Sequence, residues 1–145
     1  MIRPNMKWVA PAAVMLSGLG GAALADDSAA APAVSIELSA AEQVGDACLL
    51  SFVARNGHAR DIAQAVYETV LFDENGQVAR LTLLDFQDLP SRRMRVRQFQ
   101  FARACNAISR ILVNGATTCS GDGLPEGSCS RDLRLNSRTD HELIG

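Results

Sequence analysis

The sequence predicts an all-β fold, an immunoglobulin-like antiparallel β-sandwich of about seven short strands. Three observations indicate this class. Apolar and polar residues alternate with a period of two in short segments, turns containing Gly or Pro separate these segments, and no convincing long stretch has the period of a helix. Because a sheet buries its apolar face against another layer, strands of this kind predict two packed sheets.

The first two strands show the alternation clearly. Apolar residues occupy every second position from Val34 to Leu38, with polar residues between them. The second strand covers residues 47–56, and successive side chains of a strand point to opposite faces. The predicted buried face of this second strand consists of Cys48, Leu50 and Phe52.

A β-hairpin between the third and fourth strands is the strongest local prediction. Segments 65–72 and 77–84 flank residues 73–76, Asp-Glu-Asn-Gly, and an Asn-Gly pair adopts the positive φ of a tight turn at low cost. The acidic residues of this turn also suggest a calcium loop, but the spaced ligands and the distal glutamate are missing, so a plain turn is favoured. The hairpin residues predicted to face the core are Tyr67, Leu71, Leu81 and Leu83.

The fifth strand, residues 92–101, follows a break at Pro90, since proline cannot donate to a sheet ladder. Its apolar residues change face along the strand, so we expect a bulge or a change of exposed face near Arg97 and Gln98. A sixth strand covers residues 107–113, and a short last strand contains Leu133. The apolar residues that change face in the fifth strand are Met94, Val96, Phe99 and Phe101.

Three arginines share one face of that fifth strand: Arg93, Arg95 and Arg97. They suggest a surface for an anion or an acidic partner, such as a phosphorylated lipid head group or an acidic protein loop. The favoured alternative is a solvated strand face whose arginines pair across the sheet with carboxylates such as Glu68.

Four cysteines predict two disulfides, because an even count in an oxidising compartment indicates structural pairing. Spacing alone leaves every pairing open. In an immunoglobulin-like sandwich the second and fifth strands are antiparallel neighbours, and Cys48 begins the second strand while Cys105 follows the fifth. We therefore favour Cys48–Cys105, and the remaining pair, Cys119–Cys129, would close the Gly- and Ser-rich loop before the last strand.

Residues 1–25 are predicted to be a cleavable Sec signal peptide, with cleavage between Ala25 and Asp26. The basic residues Arg3 and Lys7 precede a long uncharged apolar run, which ends in a small-residue A-x-A site. An uncleaved membrane anchor is the less favoured alternative, because the run contains a proline and several glycines.

After cleavage, residues 26–33 are predicted to form a flexible linker and residues 34–145 a single domain in the periplasm, with no stable membrane span. The whole chain carries 14 basic and 16 acidic residues, and Arg3 and Lys7 are lost with the signal peptide. The remaining domain is therefore acidic, which argues against a nucleic-acid partner.

The sequence contains no recognisable catalytic constellation, and no cofactor or metal site is predicted. The two histidines, His58 and His141, lie far apart in the chain, and no cysteine pair has zinc-ribbon spacing. Asp85 and Asp88 could pair as acid and base, but nothing in the sequence indicates a cleft between them. A non-enzymatic protein is therefore favoured, and a hydrolase with an unrecognised site is the alternative.

The chain from CLLSFVARNG to RQFQF resembles the FxLYD-type extracytoplasmic β-sandwich modules. The shared features are Asn56, the pair Phe72 and Asp73, Gly76 and Phe99. The chain differs from these modules in having four cysteines. The whole sequence, including its ending SRTDHELIG, is also similar to a set of small exported proteobacterial proteins. Both resemblances imply an immunoglobulin-like sandwich in the periplasm, and neither brings catalytic residues.

These observations favour a non-enzymatic binding or accessory module of the cell envelope, stabilised by two disulfides, whose partner is an envelope protein. A second alternative is a module that binds anionic surfaces, such as lipid head groups, through the strand from Arg92 to Arg97. Salt-sensitive binding to anionic vesicles would distinguish that alternative.

Overall fold

The structure, a computed structural model, describes residues 30–145 of the chain. The predicted signal peptide, its cleavage site and the first part of the predicted linker lie outside these residues. The end of that linker contacts the domain, because Ala33 is buried and its carbonyl accepts a hydrogen bond from the Gly57 N–H at 2.9 Å. A Cβ at position 57 would lie 2.5 Å from the same carbonyl oxygen, so this close approach requires glycine.

Eight strands and a short 3₁₀ turn, Cys105–Ala107, make up the regular structure of the described residues. β1 and β2 alternate buried and less buried residues, as expected for strands with one face on a core. The strands are β1 (Val34–Val44), β2 (Ala47–Asn56), β3 (Ile62–Phe72), β4 (Val78–Leu89), β5 (Met94–Phe101), β6 (Arg110–Ser120), β7 (Arg134–Ser137) and β8 (Glu142–Ile144).

The strands form two four-stranded sheets, in the orders β5-β2-β1-β7 and β4-β3-β6-β8. The two sheets enclose one core, so the predicted immunoglobulin-like sandwich is confirmed. Paired strands run antiparallel, apart from β1 with β7 and β6 with β8, which run parallel. The strand β8 was not predicted, because its 3 residues are too few for an alternating pattern to stand out.

An aromatic cluster occupies the centre of the core and joins the two sheets. The Phe86 ring of β4 lies 5.8 Å from the Phe52 ring of β2, 5.5 Å from Tyr67 of β3 and 5.4 Å from Phe99 of β5, measured between ring centroids. The first two of these contacts are edge-to-face, which suits the charge distribution of aromatic rings. The predicted inward face of β2 is confirmed, since its residues Cys48, Leu50 and Phe52 are almost fully buried.

The predicted inward face of the hairpin is half correct. Tyr67 and Leu71 are buried, but Leu81 and Leu83 are 58 % and 56 % exposed, so that part of the prediction is wrong. Leucines occupy both phases of this segment, and the buried phase is the one that also places the ring of Phe86 in the core. The residues that β4 does turn inward are Leu84, Phe86 and Leu89.

The strand β5 pairs with β2 in unbroken register from Met94 to Phe101, so the bulge expected near Arg97 is wrong. Phe101 is buried, whereas Met94 and Val96 on the other face are 62 % and 60 % exposed. The exposed face of β5 does not change along the strand either. The strand carries apolar residues on both faces, and Met94 and Val96 remain on the surface because β5 lies at the edge of its sheet.

The turn predicted between β3 and β4 is confirmed. Gly76 has φ of 75°, and its N–H donates to the Asp73 carbonyl at 3.0 Å. One carboxylate oxygen of Asp73 accepts from the N–H groups of Asn75 and Gln77, each at 2.9 Å. The aspartate side chain thus holds the turn together.

Two disulfides join Cys48 to Cys105 and Cys119 to Cys129, the pairs favoured by the sequence. The first ties the start of β2 to the turn after β5 across a separation of 57 residues, and the second spans a separation of 10 between β6 and β7. The loop-entropy relation gives them about 4 and about 3 kcal/mol of stabilisation. Because disulfides persist in oxidising compartments, they indicate an extracytoplasmic protein.

Asn56 is a fully buried polar residue that ties the end of β2 to two loops. Its amide nitrogen donates to the carbonyls of Leu89 at 2.9 Å and Arg60 at 2.8 Å. Its amide oxygen accepts from the His58 N–H at 2.9 Å. The side chain therefore satisfies three backbone groups that would otherwise lack partners in the interior.

Replacing Asn56 by alanine is expected to lower the free energy of unfolding by about 3 kcal/mol, because buried backbone groups lose their partners. Urea unfolding followed by circular dichroism measures the change. Asn114→Ala is the matched control, since Asn114 is exposed and its side chain bonds to Glu68, and we expect a change within about 0.5 kcal/mol. Equal effects of the two substitutions would contradict the assigned role of Asn56.

Candidate functional site

The edge strands of the two sheets, β4 and β5, lie on the same side of the sandwich and are joined at one end by arginines. Arg97 of β5 donates from Nε to the Phe86 carbonyl at 2.7 Å and from Nη2 to the Asp88 carbonyl at 3.1 Å. The Asp88 carboxylate also accepts from Arg97 at 3.1 Å and from Arg95 at 3.4 Å. We call Arg95, Arg97 and Asp88 the arginine clamp.

The arginine clamp fixes geometry more than it stabilises the fold. The Asp88 side chain is 55 % exposed, and ion pairs in water contribute about 0 to 1 kcal/mol each. The Arg97 side chain, by contrast, is only 16 % exposed, because it lies along β4 and donates to backbone carbonyls of that strand. The clamp therefore occupies the outer edge of β4 between Phe86 and Asp88.

The three arginines of the predicted anion surface are thus placed differently from one another. Arg95 and Arg97 bind Asp88 rather than the expected Glu68, whose carboxylate accepts from Asn114. Arg93 precedes β5, which begins at Met94, and its N–H donates to the Pro90 carbonyl. Alternation along the sequence placed these side chains on one face but gave no sign of the neighbouring strand that binds two of them.

Beyond the arginine clamp, β4 and β5 separate and leave a groove, which we call the β4–β5 groove. Its volume is about 440 Å³, and it is open to the surface. Leu84 of β4 and the rings of Phe99 and Phe101 of β5 supply the apolar part of its lining, and Arg80 lies on β4 beside it. The full lining is Arg80, Thr82, Leu83, Leu84 and residues 98–102.

The outer surface of the second sheet carries apolar side chains, which we call the apolar face, and they are most exposed on β4. One row crosses all four strands in register, from Leu81 of β4 through Val70 and Leu112 to Ile144 of β8. In the middle of this row Val70 is buried and Leu112 is half-buried. Leu81 and Leu83 are more than half exposed, as is Val78 near the start of β4 at 63 %. The residues that define the apolar face are Val70, Val78, Leu81, Leu83, Leu112 and Ile144.

Polar side chains on the apolar face are bonded to one another. The Arg110 guanidinium lies 5.6 Å from the centre of the Phe72 ring, within range of a cation–π interaction. Asp85 accepts from Gln64 at 3.2 Å, and Glu68 accepts from Asn114. A partner could therefore cover this face without leaving these polar groups unpaired.

Both histidines are engaged with backbone carbonyls. His58 Nε2 lies 2.9 Å from the Ser128 carbonyl oxygen, and His141 Nε2 lies 2.9 Å from the Cys105 carbonyl oxygen. Since a carbonyl only accepts, each Nε2 carries the proton and donates. His58 thus holds the loop closed by the second disulfide.

The two aspartates that could have paired as acid and base are likewise held by neighbours. Asp85 also accepts from the Gln87 N–H at 2.8 Å, and Asp88 belongs to the arginine clamp.

Hydrogen bonding to Arg138 lowers the pKa of Glu37 on the outer face of the first sheet. Within residues 30–145, no group of His, Cys, Asp and Glu side chains is arranged to hold a metal ion.

Tyr67 shows how the second disulfide loop is attached to the core. Its hydroxyl donates to the Cys129 carbonyl at 2.8 Å, and burial raises the pKa of this phenol well above its usual value. A buried tyrosine hydroxyl needs such a partner. The loop carbonyl and the disulfide therefore both position Cys129 against the sheet.

The fold and this edge define a disulfide-stabilised β-sandwich whose β4 strand is partly covered by the arginine clamp and partly open. No helix in the described part of the chain is long and apolar enough to cross a membrane. No family model matches the chain, and no curated protein matches it. A solved structure of IrmA from Escherichia coli is similar, with 16 % identity and a TM-score of 0.55, covering 74 % of this chain and 92 % of that one. At this identity the likeness shows the fold.

Sequence patterns did not predict the β4–β5 groove or the apolar face. The groove depends on two strands that are distant in the chain and belong to different sheets. The apolar face does have a signal in the sequence, because leucines at both phases of β4 cannot all be buried in one core. Alternation alone predicts that Leu81 and Leu83 are buried, whereas in the structure both are exposed and Leu84 is buried.

Proposed function

We propose that this protein is a non-enzymatic accessory module of the periplasm that binds a protein of the cell envelope. The observation that carries the proposal is the row of outward apolar side chains on β4, where Leu81 and Leu83 are more than half exposed. Large exposed apolar patches on folded proteins mark sites of interaction.

The composition of the apolar face supports a protein partner. Interface cores combine apolar side chains with few unpaired charges, and the polar groups on this face already have partners within the sheet. The clamp arginines support an anionic-surface function less well, since Arg97 directs its Nε and Nη2 to acceptors of its own chain.

Two features support the location. The two disulfides need an oxidising compartment to form and persist. The predicted signal peptide at residues 1–25 would deliver the chain to such a compartment. Together with the acidic composition of the domain, they favour a protein partner in the envelope over a nucleic acid.

Photo-cross-linking in living cells tests this proposal. A benzophenone amino acid at Leu81 is expected to form a defined adduct with an envelope protein, identified by mass spectrometry. The matched control is the same amino acid at Val96, which is about as exposed but lies on the outer face of β5 in the other sheet. The adduct at Leu81 should disappear when Leu83 is also changed to Glu, because a buried charge opposes docking.

The proposal would be contradicted by adducts of equal yield and identity at Leu81 and Val96, which would indicate random encounter. An adduct at Leu81 that persists with Leu83→Glu would also contradict docking through the apolar face. Failure to form any adduct at Leu81, in cells that contain the folded and disulfide-bonded protein, would equally rule against an envelope partner on this face.

A further inference from the structure

The outer edge of β4 offers backbone hydrogen-bonding groups next to the β4–β5 groove. In β3, the Asp73 N–H bonds to Gln77 on the β4 side, whereas the Phe72 carbonyl accepts from Ser109 on the β6 side. Because such groups alternate along a strand, Thr69 directs its backbone groups toward its partner Thr82, which faces β3 in turn. The N–H and C=O groups of the alternate residues Leu81 and Leu83 therefore point outward, and among residues 30–145 no strand pairs with that edge.

The arginine clamp divides this edge into two halves. Charged side chains commonly protect edge strands from unwanted pairing. Here Arg97 occupies the carbonyls of Phe86 and Asp88, so this half is covered. The half from Arg80 to Leu84 lacks such cover and is the part that borders the groove.

A strand placed along the open half would contact apolar surface on both of its faces. Its inward side chains would enter the β4–β5 groove against Leu84, Phe99 and Phe101. Its outward side chains would lie beside Leu81 and Leu83, which are already exposed on the apolar face. Cross-strand apolar pairs of this kind stabilise a sheet.

Charge distinguishes between the strands that could occupy this position. The groove lining contains Arg80 and no carboxylate, and Arg80 forms no ion pair with any residue of the described chain. If a second copy of β4 paired antiparallel around Thr82, Arg80 of each copy would lie opposite Leu84 of the other. The interface would then contain two guanidinium groups and no counter-ion. A foreign strand with a carboxylate at the end facing Arg80 avoids this cost.

We propose that the open half of β4 binds an extended segment of the partner protein by antiparallel strand addition. The segment is apolar on both faces and carries a carboxylate beside Arg80. This inference rests on the proposed function and specifies how the partner is held, since backbone hydrogen bonds give affinity and the groove gives specificity.

Hydrogen exchange with a defined peptide tests the inference. The full chain is expressed with its own leader and purified in its disulfide-bonded form, and the peptide is acetyl-Val-Val-Thr-Val-Val-Glu-amide. Saturating peptide is expected to slow amide exchange at Leu81 and Leu83 by about tenfold or more. A peptide with Gln in place of Glu should bind about tenfold more weakly, and Arg80→Gln should remove that difference.

Two substitutions at one position separate strand addition from other docking. Leu83→Pro removes an outward N–H while leaving the ladder with β3 intact, as proline is tolerated on the open side of an edge strand. It should weaken peptide binding by about tenfold or more, whereas Leu83→Val, which retains the N–H, should bind like the parent protein. If Leu83→Pro does not fold, the exchange rates of the parent protein still decide the question.

Four results would overturn the inference: no binding of the peptide, binding without slower exchange at Leu81 and Leu83, equal binding to a folded Leu83→Pro variant, or no difference between the Glu and Gln peptides. A dimer whose Leu81 and Leu83 amides are protected without peptide would also overturn it and make a second copy the occupant. None of these results affects cross-linking at Leu81, so the proposed function would stand or fall separately.

Discussion

Replacing Cys48 and Cys105 together by alanine is expected to lower the free energy of unfolding by about 4 kcal/mol. The bond closes a loop with a sequence separation of 57, so its loss returns much conformational freedom to the unfolded chain. Small domains have a total stability of about 5 to 15 kcal/mol, so the variant should unfold at far lower denaturant concentration.

Urea titration under oxidising conditions measures this change, with the Cys119→Ala, Cys129→Ala double variant as the control. The control should lose about 3 kcal/mol, because its loop has a separation of 10. A larger loss for the control, or a loss below about 1 kcal/mol for the Cys48 and Cys105 variant, would contradict the role given to the longer loop.

Replacing Phe86 by alanine is expected to cost about 4 kcal/mol of stability, in the range for a buried phenylalanine. Its ring contacts Phe52, Tyr67 and Phe99, so its removal leaves a cavity where four strands of the two sheets meet. The same ring sets which leucines of β4 point outward. We therefore expect its loss also to weaken the definition of the apolar face.

The matched control for Phe86 is Val78→Ala on the same strand, since Val78 is 63 % exposed. We expect the control to change stability by no more than about 0.5 kcal/mol. Thermal and urea unfolding measure both variants. A loss for Phe86→Ala no greater than that of the control would show that the aromatic cluster does not hold the two sheets together.

Much of the fold follows from local patterns. The sandwich was predicted from the alternation in β1 and β2 and from the turn after Asp73. Both disulfide pairs were predicted from the positions of the cysteines relative to the predicted strands. The phase of β4 could not be predicted in the same way, because leucines at positions 81, 83 and 84 satisfy either phase. Packing of Phe86 against rings from the opposite sheet decides between the phases.

Less of the candidate site than of the fold could be predicted from the sequence. The arginines of β5 are visible as a charged run, yet their partner, Asp88, lies on another sheet, and its spacing from Asp85 suggests only an acid–base pair. The open edge is a property of strand order, and strand order emerges only when both sheets are assembled. The resemblance to FxLYD-type modules stays a prediction, while Asn56, one of its shared residues, has a clear structural role.

The two halves of β4 suggest how one strand can be both protected and available. Arg97 covers the carbonyls near Phe86, which limits uncontrolled pairing along the whole edge. The remaining half is short, which favours a partner segment of matching length over extended self-association. Specificity would then come from the groove beside Leu84 and from Arg80.

The most direct measurement is amide hydrogen exchange on the complex with the partner identified by cross-linking at Leu81. Binding of that partner is expected to slow exchange at Leu81 and Leu83 of β4 and to leave the amides of β7, on the opposite edge of the first sheet, unchanged. Unchanged exchange at Leu81 and Leu83, with protection appearing elsewhere on the sandwich, would contradict binding at the open edge of β4.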